Sequence, residues 1–220
     1  MIVGSLLIML GAVLLSIPIA FFTALFCQFY APKWASEILK RIIEVLAGIP
    51  SVIYGFWGIL VLVPILASFM SPGTSVLAGI IVLTCIILPH LFLITNNALE
   101  STEEEVIRNA MSLGLARHSI ILHVILPSAR SQLYTGVILQ SGRAIGETLA
   151  VLMVCGNVVQ LPGNIFEPVR TLTSNIALEM AYAMDTHRSA LFFSGLILLF
   201  MVVSLVLLID KTQARKSITL

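Results

Sequence analysis

Residues 45–99 contain no Asp, Glu, Lys or Arg, which makes an unbroken run of 55 uncharged residues. An α-helix rises 1.5 Å per residue and the hydrocarbon core of a bilayer is about 30 Å thick, so one crossing takes about 20 residues. The run therefore predicts two membrane-spanning helices. The turn between them falls at residues 71–73, where the sequence Ser-Pro-Gly favours a tight reversal.

Two further uncharged stretches, 1–32 and 189–209, indicate additional spans. Only 10% of the whole chain is charged, whereas a soluble domain carries about 25% charged residues. The sequence therefore predicts an all-α integral membrane protein with a single transmembrane domain over residues 1–220. We expect five spans, at about 4–27, 47–69, 74–95, 133–155 and 190–209, with a long connection at 96–132 and another at 156–189.

Lys and Arg residues cluster on one side of the predicted membrane. Nine of the 12 lie in segments 28–46, 96–132 and the tail from 210, whereas two lie in the opposite set and Arg143 lies within a span. Because cytoplasmic segments carry the excess of Lys and Arg, this predicts a multi-pass protein of the cell membrane with a cytoplasmic C-terminus. The N-terminus is then outside, which predicts either an unusual insertion or a further helix upstream.

The sequence argues against several classes of function. The three cysteines all lie in apolar segments, which does not indicate a disulfide framework or a zinc site. There is no His-Glu-x-x-His motif and no pair of intramembrane aspartates for an intramembrane hydrolase, and no Gly-x-x-x-x-Gly-Lys-[Ser/Thr] phosphate loop. The net charge of +1 gives no indication of nucleic-acid binding. We therefore expect no catalytic residue, no metal site and no cofactor in this chain.

The connection at 96–132 predicts two short helices. Gly114 can close the first of them in the left-handed conformation, and the second is predicted to stop at Pro127. The apolar residues of the second helix recur at helical spacing. The pattern alone leaves two interpretations open, an amphipathic elbow on the membrane surface or a docking site for another protein.

The fourth predicted span carries charges at membrane depth. Arg143 and Glu147 are four residues apart, so on a continuous helix they share a face and can reach each other, and Gly136 and Gln140 continue that face. A charge in hydrocarbon costs several kcal/mol, so such residues face the bundle interior and pair. Either the pair is a clamp that holds this subunit to another, or the stripe lines a passage where Arg143 offsets the charge of an anion. In a passage the binding has to be weak, because a tight site would trap the ion.

The loop at 101–127 carries a spacing that resembles the signature of ABC-importer permeases. That signature is Glu-Ala-Ala, three residues, Gly, nine residues, Ile-x-Leu-Pro, and here the triplet falls on Arg-Asn-Ala, of which only the last residue agrees. The resemblance implies the importer-type permease core as the fold, and a helix–turn–helix that seats in a cleft of a separate ATPase subunit. It implies as coupling residues Arg108, Ala110, Gly114, Val124, Leu126 and Pro127.

Two other stretches resemble the permeases of high-affinity phosphate importers. They are Gly-Arg-Ala-Ile-Gly-Glu-Thr at 142–148 and Gly-Ile-Pro-Ser-Val-Ile-Tyr-Gly-Phe-Trp-Gly at 48–58. Residues 170–180 favour the PstC type of permease over the PstA type. The resemblance implies inorganic phosphate as the cargo and a second permease of the PstA type as a partner. It also implies a dimer of ATPase subunits that binds ATP and magnesium, and an extracytoplasmic phosphate-binding protein.

Spans and charges alone leave the cargo open among phosphate, molybdate, tungstate and sulfate. A proton-coupled secondary transporter, with Glu147 and His90 as candidate proton carriers, is a further alternative. It predicts uptake that needs no ATPase and that collapses with the proton gradient.

Overall fold

The computed structural model of the chain describes residues 1–101 and 104–214, and these are mostly helical. A helix satisfies its backbone groups internally, which is what a segment surrounded by lipid requires. The helices are α1 (Ile2–Leu25), α2 (Lys33–Ala47), α3 (Ser51–Trp57), α4 (Val63–Phe69), α5 (Val76–Glu100), α6 (Glu104–Ser112), α7 (Arg117–Ile120), α8 (Leu126–Gly146), α9 (Leu149–Val154), α10 (Leu172–Glu179) and α11 (Asp185–Ala214). Three π-helical turns extend or join them, at Phe26–Tyr30, Gly58–Leu62 and Ile121–Ile125.

Four helical rods in the described part of the chain are long and apolar enough to cross a bilayer. They coincide, within a few residues at each end, with four of the five spans predicted from the sequence. The rods are Ile2–Tyr30, Ser51–Phe69, Val76–Glu100 and Asp185–Leu207.

The remaining predicted span, 133–155, differs from the expected continuous helix. α8 ends at Gly146, Glu147 is extended (φ −66°, ψ 124°), and α9 resumes at Leu149. Gly146 has low helix propensity, and a hydrogen bond from outside the helix stabilises the break. Thr173 Oγ1 donates a hydrogen bond to the Glu147 carbonyl oxygen over 3.1 Å. The polar stripe predicted on one helix is therefore divided between two backbone segments.

α5 forms the centre of the bundle, with α1 and α8 packed along it. Its buried side chains belong to both apolar clusters of the core, Val82 and Ile87 to one and Phe92 and Leu99 to the other. The peripheral helix is α11. Only 6% of its most apolar stretch is buried, against 56% for α5, so most of α11 is left for lipid or another subunit.

The bundle has two distinct ends. We call the end that carries α2 and residues 101–125 the basic end, and the end that carries residues 155–184 the opposite end. At the basic end, α2 packs through Ile43 and an ion pair joins Lys40 to Glu100. The uncharged runs predicted only a connection at residues 28–46, so α2 is a finding of the structure. The tail beyond residue 214 lies outside the described residues.

Residues 104–125 form the predicted pair of short helices, which we call the elbow. Gly114 closes the first helix in the left-handed conformation (φ +77°), as predicted. The predicted stop at Pro127 is wrong, because α7, the π-helical turn and α8 follow one another without a break. Pro127 lies two residues after the π-helical turn, inside this continuous helical run rather than at a free helix start.

At the opposite end, the chain between α9 and α11 folds back onto the bundle. The backbone N–H of Val76 donates to the Glu167 carbonyl oxygen over 3.0 Å, and that of Leu77 donates to Ile165 over 2.8 Å. Val169 is fully buried. This segment also contains the short helix α10.

Candidate functional site

Arg143 lies on an exposed face of α8 near the middle of the bundle. Within residues 1–101 and 104–214, its side chain forms no ion pair or hydrogen bond, although its charge acts electrostatically on His90 of α5. His90 is ten residues before the end of α5 at Glu100, which is about 15 Å along the helix. That depth is close to the centre of a bilayer core about 30 Å thick. A positive charge therefore lies at mid-depth without a counter-ion from the described chain.

Gly136 and Gln140 lie where α8 contacts α5. A Cβ added at Gly136 would be 2.5 Å from Ile94 Cγ2, so the two helices touch at this glycine. Gln140 is 8% exposed, and its Oε1 has no hydrogen-bond partner in the part of the chain that the structure describes. A buried oxygen without a donor costs about 1–3 kcal/mol. The oxygen is therefore open to a donor from outside this chain, such as a water molecule.

Glu147 does not form the expected pair with Arg143. Its Oε1 accepts a hydrogen bond from the Ala150 backbone N–H over 3.5 Å, and its carbonyl oxygen is bound by Thr173 as described above. The carboxylate borders a small polar cavity of about 10 Å³ that Ser5 also lines. No ion pair between Glu147 and Arg143 is present among residues 1–101 and 104–214. The structure thus places Glu147 in the joint between α8, α9 and α10, and leaves Arg143 facing outward.

A hydrogen-bonded network fixes the chain at the opposite end. Arg170 Nε donates to the Asn157 carbonyl oxygen over 2.8 Å, and its Nη1 donates to Asn175 Oδ1 over 3.2 Å and to Glu179 Oε1 over 2.9 Å. Thr171 Oγ1 caps α10 by accepting from a backbone N–H. The Arg170 and Glu179 side chains are therefore engaged within the chain.

The candidate coupling residues divide into an inner and an outer set. Ala110 is buried, and Val124 and Leu126 are half-buried against the bundle, whereas Arg108, Gly114 and Pro127 are exposed. The inner set attaches the elbow to the apolar cluster at the basic end.

Large apolar side chains of the elbow are exposed around its turn. Leu113 is 80% exposed, Met111 is 52% exposed and Leu115 is 40% exposed, although Met111 also lines a small cavity next to Phe29. They flank the Gly114 turn and form an apolar tip that the described part of the chain leaves uncovered. Leucines on both sides of a turn glycine are a signal of this tip that is visible in the sequence.

Arg117 ties the elbow to the first span. Its Nη1 donates to the Phe29 carbonyl oxygen, in the π-helical turn after α1, over 3.3 Å. The sequence analysis did not identify this role, because a single arginine at a helix start does not reveal which acceptor it meets. Among the described residues, no three His, Cys, Asp or Glu side chains come together as a metal ion would require.

The chain is similar to known transport proteins over almost its whole length. Residues 16–216 match the family described as "Binding-protein-dependent transport system inner membrane component". The chain is 39% identical to the probable ABC transporter permease protein YqgH of Bacillus subtilis, over 98% of this chain and 71% of that protein. It is 33% identical to the phosphate transport system permease protein PstC of Xylella fastidiosa, over 94% of this chain and 70% of that protein.

Solved structures share the fold. A chain of the MetNI methionine ABC transporter in an inward-facing form has a TM-score of 0.75 at 17% identity, covering 95% of this chain and 91% of that one. A chain of an amino acid ABC transporter has a TM-score of 0.72 at 16% identity, covering 97% and 91%. At this identity the likeness concerns the fold alone, and it supports the importer-type permease core expected from the elbow signature.

Proposed function

The chain belongs to the family of binding-protein-dependent transport system inner membrane components, and from this premise we propose that it is the PstC-type permease subunit of an importer that carries inorganic phosphate. The cargo is taken from the PstC relatives and from the stretch at 142–148. A different oxyanion, such as molybdate, tungstate or sulfate, is the alternative that the uptake experiment below distinguishes.

The observation that carries the proposal is the exposed guanidinium of Arg143 at mid-depth, which has no partner in the described part of the chain. Lipid cannot solvate such a charge without a cost of several kcal/mol. This face of α8 therefore has to be covered in the assembled protein by a second permease subunit, with a polar passage between the two. Arginine in that passage provides a weak, transient site for an anion, and the unpartnered Oε1 of Gln140 accepts hydrogen bonds from its water shell.

Glu147 has a different role from Arg143 in this proposal. Because the two side chains form no ion pair among the described residues, Glu147 does not neutralise Arg143. Glu147 instead holds the break between α8 and α9 by capping Ala150 and by binding Thr173 through its carbonyl oxygen. We expect its replacement to weaken the assembly of the outer part of the passage rather than the binding of the anion.

The elbow supports the proposal that separate ATPase subunits drive transport. The exposed tip formed by Met111, Leu113 and Leu115 is the surface for a dimer of ATPase subunits, which bind ATP and magnesium and hydrolyse ATP. Arg117 carries the displacement of the elbow to the end of α1 through Phe29. This chain then contributes the passage and no catalytic residue.

Charge sets the orientation of the proposed subunit. The basic end, with the C-terminal tail, is cytoplasmic, because cytoplasmic segments carry the excess of Lys and Arg. The opposite end then faces an extracytoplasmic phosphate-binding protein, and the second permease is of the PstA type.

The test compares Arg143→Gln, Arg143→Lys and Glu147→Gln in a complex reconstituted with its partner subunits. We expect Arg143→Gln to lower uptake of labelled phosphate by about tenfold, which corresponds to roughly 1.4 kcal/mol of lost stabilisation, while the complex still assembles. Arg143→Lys keeps the charge and retains most of the uptake.

The matched control is Arg188→Gln, because Arg188 is exposed at the opposite end and outside the passage. Wild-type uptake in an assembled Arg143→Gln complex would refute the passage role. Loss of the second permease on purification of Arg143→Gln would show a clamp instead. Excess unlabelled molybdate, tungstate or sulfate that suppresses uptake as strongly as phosphate does would identify the alternative cargo.

A further inference from the structure

A groove of about 300 Å³ opens between α1, α5 and α8 toward the basic end of the bundle. Its mouth is polar and its floor is apolar. The lining residues are Ile17, Phe21, Leu91, Thr95, Arg130, Leu133, Tyr134 and Val137.

The groove runs along the membrane normal. Arg130 lies four residues, or about 6 Å, from the start of α8, which places it near the edge of the hydrocarbon core. Val137 lies seven residues deeper on the same helix, at about 10 Å further in. On α1, which runs toward the basic end, Phe21 is near the mouth and Ile17 is deeper. The charged side chain of the groove therefore lies near the membrane surface, and apolar side chains lie deeper.

Arg130 is the charged residue of this groove. Its side chain is exposed and has no ion pair or hydrogen bond in the part of the chain that the structure describes. A guanidinium binds a phosphate group through two parallel hydrogen bonds, and it does so best where water is scarce. Lipid headgroups carry phosphate groups at the same depth as Arg130. The membrane itself can therefore supply the anion that this arginine binds.

The apolar part of the groove determines which anion fits. Below Arg130 the walls are formed mainly by Ile, Phe, Leu and Val side chains, together with Thr95 and Tyr134, and such a mainly apolar wall suits an acyl chain and solvates an inorganic ion poorly. The groove volume of about 300 Å³ equals the volume that roughly ten water molecules occupy in the liquid. The groove can therefore hold part of one acyl chain and is too small for a helix of a second subunit.

We propose that this groove is a binding site for one anionic phospholipid of the leaflet at the basic end. Its headgroup phosphate binds Arg130, and one acyl chain lies along Leu133 and Val137 between α1 and α5. The site is next to the elbow, because α8 continues directly from the π-helical turn of the elbow. The inference requires that the chain spans a membrane, but it does not depend on which ion the chain carries.

Native mass spectrometry of the detergent-purified complex tests the site, with phosphatidylglycerol and phosphatidylcholine titrated separately. We expect wild type to retain phosphatidylglycerol in preference to phosphatidylcholine, and Arg130→Gln to lower that retention by about tenfold. Arg130→Lys keeps the positive charge but cannot form the two parallel hydrogen bonds, so its retention of phosphatidylglycerol should be intermediate. Leu133→Phe narrows the apolar wall and should lower retention while leaving the arginine in place.

Arg41→Gln is the matched control, since Arg41 is another exposed arginine at the basic end but lies on α2, outside the groove. The proposal is overturned if Arg130→Gln and Arg130→Lys both retain phosphatidylglycerol like wild type. It is also overturned if Arg41→Gln loses as much lipid as Arg130→Gln, which would indicate general surface attraction. Complete displacement of the lipid by millimolar inorganic phosphate would show that the free ion, rather than a lipid, is the ligand.

Discussion

The elbow at the basic end and the segment 155–184 at the opposite end are both connections between helices, but different contacts hold them. In the elbow, Ile120 and Ile125 pack into the apolar cluster at the basic end, whereas Leu113 at the turn is 80% exposed. At the opposite end, Val169 is fully buried, and Arg170 binds three partners within the same segment. Both connections expose large apolar side chains, such as Leu161 at the opposite end, so they differ in the hydrogen-bonded network rather than in exposed apolar surface.

This difference concerns how each connection is held. Hydrogen-bonded polar networks rigidify a structure, so the contacts of Arg170 hold the segment 155–184 within the chain. In the elbow, apolar packing holds the helices, and the exposed Leu113 at the turn is a surface for a partner. We therefore expect a change at the elbow tip to act on a partner, and a change in the Arg170 network to act on the stability of the chain.

The largest expected effect is at the tip of the elbow. Leu113→Asp places a charge in the contact with the ATPase subunits, and loss of a central apolar contact weakens binding by about 3 kcal/mol, on the order of a hundredfold. We expect the ATPase subunits to be lost on co-purification and ATP-driven uptake to fall with them. The chain itself should still insert, because Leu113 makes no core contact.

Leu161→Asp is the control for this change. Leu161 is also a strongly exposed leucine, at 73%, but it lies at the opposite end. The comparison between the two ends fails if Leu161→Asp releases the ATPase subunits as completely as Leu113→Asp does.

A smaller effect is expected from Arg170→Gln at the opposite end. The change removes three hydrogen bonds and leaves the partly buried carboxylate of Glu179 without its cation, which should cost about 2 kcal/mol. We expect a lower apparent melting temperature of the purified chain, with the ATPase subunits still bound at low temperature. An unchanged melting temperature would mean that this network does not hold the segment.

The smallest effect is expected from Gly114→Ala. Gly114 has φ +77°, where a Cβ costs about 1 kcal/mol, although no atom lies within 4 Å of the added carbon. The cost should appear as a several-fold weaker interaction with the ATPase subunits, measured by titration. Gly195→Ala is the matched control, because its added Cβ also meets no atom within 4 Å but its backbone is helical. This variant should bind the ATPase subunits with normal affinity. Equal affinity in both variants would show that the turn can adopt another shape.

The sequence predicted those features that one local rule determines. Uncharged runs of sufficient length indicated α1 and α5, because lipid excludes charges and requires helices. The left-handed turn at Gly114 followed from the freedom of glycine at positive φ. The capping of α10 by Thr171 agrees with the preference for threonine at the start of a helix.

Features that depend on distant contacts could not be predicted in this way. The break at Glu147 depends on Thr173, which is 26 residues away in the sequence, and no proline marks the break. The continuation of the helix through Pro127 depends on a π-helical turn that no residue pattern announces. For Arg143 the spacing predicted a partner at Glu147, whereas the fold turned Glu147 inward and left the arginine exposed.

ATP-dependent accumulation of labelled phosphate in proteoliposomes tests the central claim most directly. The vesicles contain this chain with its second permease and its ATPase subunits, with binding protein and phosphate on the side of the opposite end and ATP on the side of the basic end. We predict accumulation that requires both this chain and ATP hydrolysis, and that persists when a protonophore removes any proton gradient. Accumulation driven by a proton gradient without ATP or ATPase subunits would contradict the account.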